Sequence, residues 1–190
     1  GVFSKNSDDS KNYIIKIIIA IIPAGIIGFT MNDYIEILFT GNITLVGIML
    51  IITGILLFLT KIIKPKNSQI SKTDAIIIGL SQAFAILPGI SRSGATICTS
   101  LFLGNRKSDS AKFSFLIVIP VIFGAILKDA ISGEIFNNQL DASVLIIGFL
   151  SSFIFGLLAC KWMLKIVNNN NLIYFSFYCF VLGIISISLL

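Results

Sequence analysis

L-P-G-I-S-R-S-G-A-T, residues Leu87 to Thr96, breaks one of the most apolar stretches of a very apolar chain. An arginine, three hydroxyls and two glycines stand where a membrane helix would carry aliphatic side chains. Charged side chains are rare at bilayer depth because they are costly there, and those that occur mark substrate or ion sites. Glycines let backbone amides approach a ligand closely, and a helix restarting at Ala95 would aim its N-terminus into the same loop. The combination predicts a site for an anion, a phosphate foremost.

The surroundings set the class of protein. The chain has 190 residues, 56% of them hydrophobic, and a mean hydropathy of +0.99. Those values lie outside soluble usage and describe a polytopic membrane protein. Residues 1–12 are polar and are expected to form a cytoplasmic loop or tail. They have no apolar core or small-residue cleavage site and so do not resemble a signal peptide. The net charge of +5 comes from lysines at segment ends. That is the pattern of cytoplasmic loops and excludes nucleic-acid binding as the reason for the charge. Cys98, Cys160 and Cys179 all fall in apolar segments without metal-ligand spacing and are read as small buried hydrophobes. Histidine is absent.

Five stretches reach the length needed to span hydrocarbon about 30 Å thick. They run from Tyr13 to Phe29, Ile43 to Leu59, Phe113 to Leu127, Val144 to Trp162 and Leu172 to Leu190. Pro23 and Pro120 lie inside two of them, where neighbouring helices can satisfy the freed carbonyl. Lys16 can snorkel to the interface. Ala75 to Leu87 and Ala95 to Gly104 are shorter, roughly 20 Å and 15 Å at the helical rise. They form either one broken spanning helix or a re-entrant hairpin.

Charge favours the hairpin. Lys61, Lys64, Lys66 and Lys72 precede it, and Arg106, Lys107 and Lys112 follow it, so both flanks are expected in the cytoplasm. Asp33 and Glu36 place the first loop outside. The mixed loop with Lys128, Asp129, Glu134 and Asp141 is also outside, and Lys161 and Lys165 are inside. The expected fold is therefore all-α, with five transmembrane helices plus one re-entrant hairpin at 75–104. Residues 13–190 form a single membrane domain. A hairpin followed by three spans is a natural unit of an inverted-repeat architecture. On that reading 13–60 is the remainder of a first repeat and 75–190 is the second.

Arg92 is the leading candidate for chemistry, because its guanidinium stays charged and its planar fork matches phosphate oxygens. No Asp or Glu lies inside the apolar spans to pair with it. Ser91, Ser93 and Thr96 flank it. Ser93 is expected to cap the helix restarting at Ala95, a role compatible with anion contact. Gly89 and Gly94 serve turn geometry, and Pro88 is expected to end the preceding helix. Gln82 either bridges helices or points into the site. Ser114 reads as packing. Ester or anhydride hydrolysis also needs a nucleophile or activated water and an acid/base. A chain without histidine or carboxylates at membrane depth offers the clamp without the rest.

P-G-I-S-R-S-G-A-T at Pro88 to Thr96 resembles the second signature of the undecaprenyl-diphosphatases, the bacitracin-resistance proteins. G-L-S-Q-A-F-A-I-L at Gly79 to Leu87, F-S-F-L-I-V-I-P at Phe113 to Pro120, I-I-P-A-G-I-I-G at Ile21 to Gly28 and K-P-K at Lys64 to Lys66 extend the resemblance in the expected order. It covers the chain from Tyr13 onward. It implies a multi-pass enzyme of the bacterial inner membrane with its active site facing outside. Such an enzyme hydrolyses undecaprenyl diphosphate to undecaprenyl phosphate and inorganic phosphate. This recycles the lipid carrier of peptidoglycan synthesis and confers bacitracin resistance. It also implies that Arg92 and Ser91 are catalytic, and that the two bind diphosphate together with Ser93, Gly94, Thr96 and Gln82. A divalent cation, magnesium or calcium, is implied as cofactor, and a homodimer is compatible with the family. The family's first signature, glutamate-rich and ending in a Ser-Ser-Thr-Gly-His run, has no counterpart here. The expectation is accordingly an N-terminally truncated member, inactive by itself, whose metal ligands lie elsewhere.

The competing reading is a transporter or flippase for an anionic polyprenyl lipid, since re-entrant hairpins meeting near the midplane also build transporters. A transporter would use Arg92 for binding and need no nucleophile. A non-catalytic scaffold would leave Arg92 unexplained.

Overall fold

A computed structural model describes residues 7–63, 66–132, 142–169 and 171–188. The described residues form eight helices: α1 (Ser7–Thr30), α2 (Asn32–Phe39), α3 (Ile43–Leu59), α4 (Lys72–Phe84), α5 (Arg92–Phe102), α6 (Lys107–Ser132), α7 (Ala142–Asn168) and α8 (Ile173–Ser188). An isolated parallel bridge between Ser68 and Asn105 is the one β-type pairing among them. The protein is all-helical, as its periodicity and composition require. Helices α1, α6 and α7 are long and apolar enough to cross a membrane, and α3 and α8 are shorter apolar helices.

Boundaries depart from expectation where polar residues were read as loop. Helix α1 starts at Ser7, so the polar residues Ser7 to Asn12 are helical rather than a free tail. The loop carrying Asp33 and Glu36 holds the short helix α2, whose charges do not break helical geometry. Residues 1–6, Lys64 and the loop with Glu134 and Asp141 lie outside the described residues.

Each helix around the signature is started by a specific cap. The Asn42 side chain accepts a hydrogen bond from the Leu45 N–H at 3.1 Å and opens α3. Ser71 and Asp74 form a reciprocal capping box at the start of α4, with bonds of 3.1 Å and 2.8 Å. Ser91 opens α5.

Helix α3 packs antiparallel to α8. Gly47 lies against Gly183 and Ile187, Gly54 lies against Phe180, and the Ser176 hydroxyl donates to the Gly54 carbonyl at 2.7 Å. Small residues let the backbones approach, the usual basis of helix pairing in lipid. On the other side α4 crosses α1 with Gly79 against Ala20. Helix α5 sits between these two pairs, touching α3, α4 and α6. Its residues Gly94 to Cys98 are all buried. Ile97, Cys98 and Leu101 join Leu57, Ala111, Val167, Leu172 and Cys179 in one core cluster. A second cluster holds Ala20, Ile70, Ala75, Ile78, Phe113 and Ile117. Cys98 and Cys179 are buried as expected, whereas Cys160 is exposed on α7. None of the three forms a disulfide.

Helix α7 stands apart. Its side chains from Val144 to Trp162 are exposed, and α6 is the helix whose backbone it neighbours. A continuous apolar surface of that size is stable against lipid and not against water.

Candidate functional site

The P-G-I-S-R-S-G loop is a folded turn pinned to α3. Helix α4 stops at Phe84, with Ala85 as its C-cap. Two tight turns follow, from Ile86 N–H to the Ala83 carbonyl and from Leu87 N–H to the Phe84 carbonyl, both 3.3 Å. The helix thus ends four residues before Pro88, a correction to the expected stop. Leu87, Pro88, Gly89 and Ile90 make the next turn, closed by Ile90 N–H to the Leu87 carbonyl at 3.2 Å. Proline at its second position and glycine at its third, with φ +93°, fit a type II turn. A Cβ on Gly89 would also lie 2.5 Å from the Val46 carbonyl oxygen. Glycine is therefore required both by conformation and by the close approach to α3.

The next residue upward is Ser91, not Ser93, at the cap. The Ser91 Oγ accepts from the Gly94 N–H at 3.1 Å, and Ala95 N–H reaches the Ser91 carbonyl at 2.8 Å as the first helical bond. Helix α5 therefore begins at Arg92, three residues earlier than expected. Gly94 fits closely here, since a Cβ there would sit 2.9 Å from the Ser91 Oγ and 3.0 Å from its Cβ. With Gly94 bound to the cap, the N–H groups of Arg92 and Ser93 precede the first helical bond and point out of the helix start. These are the donors an anion would take.

Thr53 of α3 holds this arrangement in place. Its hydroxyl accepts from the Ser91 N–H at 3.2 Å and lies 3.5 Å from the Gly89 carbonyl, to which it donates. It is buried, 1% exposed. Sequence reasoning passed over Thr53, although a lone threonine before a glycine in an otherwise aliphatic run was the available signal.

Arg92 is half-buried at the first position of α5. Its carbonyl accepts from the Thr96 hydroxyl at 3.0 Å. Its guanidinium makes no hydrogen bond or ion pair with any described residue. Thr96 lies behind this surface. Fully buried, its hydroxyl is shared between the Arg92 and Ser93 carbonyls and also accepts from the Ser114 hydroxyl. Ser114 is thus a buried partner of α5, consistent with a packing role.

Ser91, Ser93, Gly94 and Gly89 border one cavity of about 390 Å³, whose other walls come from α3, α7 and α8. Arg92, Thr96 and Gln82 are not among its lining residues. Gln82 lies on the buried face of α4, 0% exposed, with both amide atoms lacking a hydrogen-bond partner. Among the described residues no group of three or more His, Cys, Asp or Glu stands together.

Apolar helices of this number, packed around a capped loop, describe a multi-pass membrane protein. The chain belongs to the family described as bacitracin resistance protein BacA, whose pattern matches residues 2–185. It is 47% identical over 187 residues to an undecaprenyl-diphosphatase of Christiangramia forsetii, covering 98% of this chain and 71% of that protein. It is 46% identical to the undecaprenyl-diphosphatase of Bacteroides thetaiotaomicron, covering 97% and 71%. It is 38% identical to undecaprenyl-diphosphatase 2 of Bacillus thuringiensis, covering 98% and 70%.

Proposed function

We infer that this chain does the work its relatives are named for, hydrolysis of undecaprenyl diphosphate to undecaprenyl phosphate and inorganic phosphate. The observation that carries the reading is the half-buried, unpaired Arg92 guanidinium at a capped helix start, in a chain of this family. In the reaction, water bonds to the terminal phosphorus and the bond to the bridging oxygen breaks. Negative charge grows on oxygens around the transferring group. Arg92 and the N–H groups of Arg92 and Ser93 neutralise that charge without reorganising, which is the largest kind of catalytic contribution. Ser91 fixes the donors through its cap, and Gly94 admits the cap. Gln82, fully buried and off the cavity wall, is given no contact with the diphosphate.

A divalent cation, magnesium or calcium, belongs to this reading, held by ligands other than the described residues. The described residues supply the clamp and are assigned neither the acid/base nor the attacking nucleophile. Helices α4 and α5 are proposed as a re-entrant hairpin beside five spanning helices, one half of an inverted repeat. The membrane is proposed to be the bacterial inner membrane with the site opening outward. A homodimer is compatible with this reading, and α7 is the described helix with room for a second copy.

The test is phosphate release from undecaprenyl diphosphate by the full-length protein in detergent. Arg92→Ala is expected to lower kcat/KM by about 10²- to 10³-fold. Arg92→Lys is expected to recover part of it, since it keeps the charge and loses the fork. Near-normal turnover in Arg92→Ala would remove the assigned role.

A further inference from the structure

The two ends of the α4–α5 unit carry cations that the Arg92 site does not use. Residues 66–68 and 104–106 run side by side there, joined by backbone hydrogen bonds through Ser68. Asn67 holds a left-handed φ of +58°, a conformation asparagine tolerates better than most residues. Its carbonyl accepts from Arg106 Nε at 2.9 Å. The Lys66 stem lies over Gly104, where an added Cβ would meet Lys66 Cβ, Cγ and Cδ at 3.3 to 3.5 Å. Lys66, Lys72 and Arg106 are all exposed. Beyond the bond to Asn67, their side chains make no hydrogen bond or ion pair with a described residue. The described acids closest to them in sequence are engaged elsewhere. Asp74 accepts from the Ser71 N–H at 2.8 Å, and Asp109 accepts from the Ser108 hydroxyl at 3.4 Å. From this basic end an apolar stripe runs along the outside of α4. Ile76, Ile77, Leu80 and Phe84 are exposed at helical spacing, while Ala75, Ile78, Gly79, Gln82 and Ala83 face inward.

We propose that this face of α4 binds an anionic phospholipid of the surrounding leaflet. Its phosphate lies against Lys66, Lys72 and Arg106, and its acyl chains lie along Ile76, Leu80 and Phe84. Charge complementarity selects the head, since basic clusters at a membrane surface attract anionic headgroups by about fivefold per cation. The Arg106 bond to Asn67 and the packing of Lys66 on Gly104 hold two of the cations before the lipid arrives, which lowers the entropy lost on binding. The stripe selects a lipid over a free phosphate, because its aliphatic area is removed from water only by chains that cover it. The site is separate from the Arg92 loop and stands whether or not the chain is a hydrolase.

Native mass spectrometry of the full-length protein in detergent, with dioleoyl phosphatidylglycerol and dioleoyl phosphatidylcholine in competition, reads the head preference. Phosphatidylglycerol is expected to bind tighter by on the order of tenfold or more. Lys66→Gln and Arg106→Gln are each expected to weaken it about fivefold. Lys165→Gln removes an exposed cation on α7 and is expected to leave it unchanged. Equal binding of the two lipids, or an equal loss in Lys165→Gln, would overturn the inference. Glycerophosphoglycerol, the same head without chains, is expected not to compete, and competition at matched concentration would reduce the site to one for any anion and overturn it as a lipid site. Phosphatidylglycerol carrying a diazirine high on one acyl chain is expected to label residues 76–84. Label on other helices alone would overturn the placement.

Discussion

At the scale of single residues, the site depends on one hydroxyl in a foreign helix. Thr53 supplies the acceptor for the Ser91 N–H, and nothing else described reaches that donor. Thr53→Val keeps the shape and removes the acceptor, leaving a part-buried N–H unpaired at a cost of about 1 kcal/mol. The variant is expected to melt earlier in detergent and to lose kcat/KM, because the start of α5 loosens. Thr53→Ser, which keeps the hydroxyl, should restore both. Equal behaviour of the valine and serine variants would make the tether idle. The sequence pointed to Arg92 through its cost in lipid, a property of the residue itself. It pointed to the wrong serine as cap, because Ser91 and Ser93 are equivalent in composition. The choice shows only in three dimensions, where the Ser91 Oγ accepts from the Gly94 N–H and Thr53 holds the Ser91 N–H. Thr96 looked like a ligand-facing hydroxyl for a similar reason, and helical geometry turns it towards Ser114 instead.

Among helices, α3 and α8 show how much depends on absent side chains. A Cβ on Gly183 would lie 2.8 Å from Ile51 Cγ1 and 2.9 Å from the Gly47 carbonyl oxygen. The carbonyl belongs to a helix backbone and cannot step aside. Gly183→Val is therefore expected to push α8 off α3 and to destabilise the protein by about 1–3 kcal/mol. Gly148 and Gly156 on α7 have nothing within 4 Å. Gly156→Val should leave the detergent melting temperature unchanged, which makes it the control. A drop of equal size in both variants would mean that helix propensity, not packing, is being measured. The boundaries of α3 were legible in the sequence, since an uninterrupted apolar run after a capping Asn allows one reading. Helix α2 was not, because eight residues with two acids carry the signature of a loop as much as of a short helix. The pairing of α3 with α8 was hidden too, since small residues on one helix do not name the partner they face.

For the molecule as a whole, the question is which side of the membrane each end of the α4–α5 unit occupies. Helix α4 has 13 residues and α5 has 11, about 20 Å and 17 Å long, each short of a bilayer core of about 30 Å. The chain before α4 and the chain after α5 are joined directly. Ser68 N–H donates to the Gly104 carbonyl at 3.2 Å, and Arg106 N–H donates to the Ser68 carbonyl at 3.0 Å. The Arg106 guanidinium adds a bond to the Asn67 carbonyl at 2.9 Å. Beneath them the buried Asn105 side chain donates to Ser100, which pairs with Ser110. Two chain ends stitched together in this way belong at one level of the bilayer. Their lysines and arginine are the ground for proposing that this level is the cytoplasmic one. With Cys160 first changed to serine, cysteines at Lys66→Cys and Arg106→Cys are expected to react with a membrane-impermeant maleimide only after cells are opened. Met31→Cys, beyond the far end of α1, should react in intact cells. Labelling of 66 and 106 from opposite sides would turn the pair into a broken spanning helix, reverse the direction of every later helix, and move the mouth of the Arg92 site to the other face.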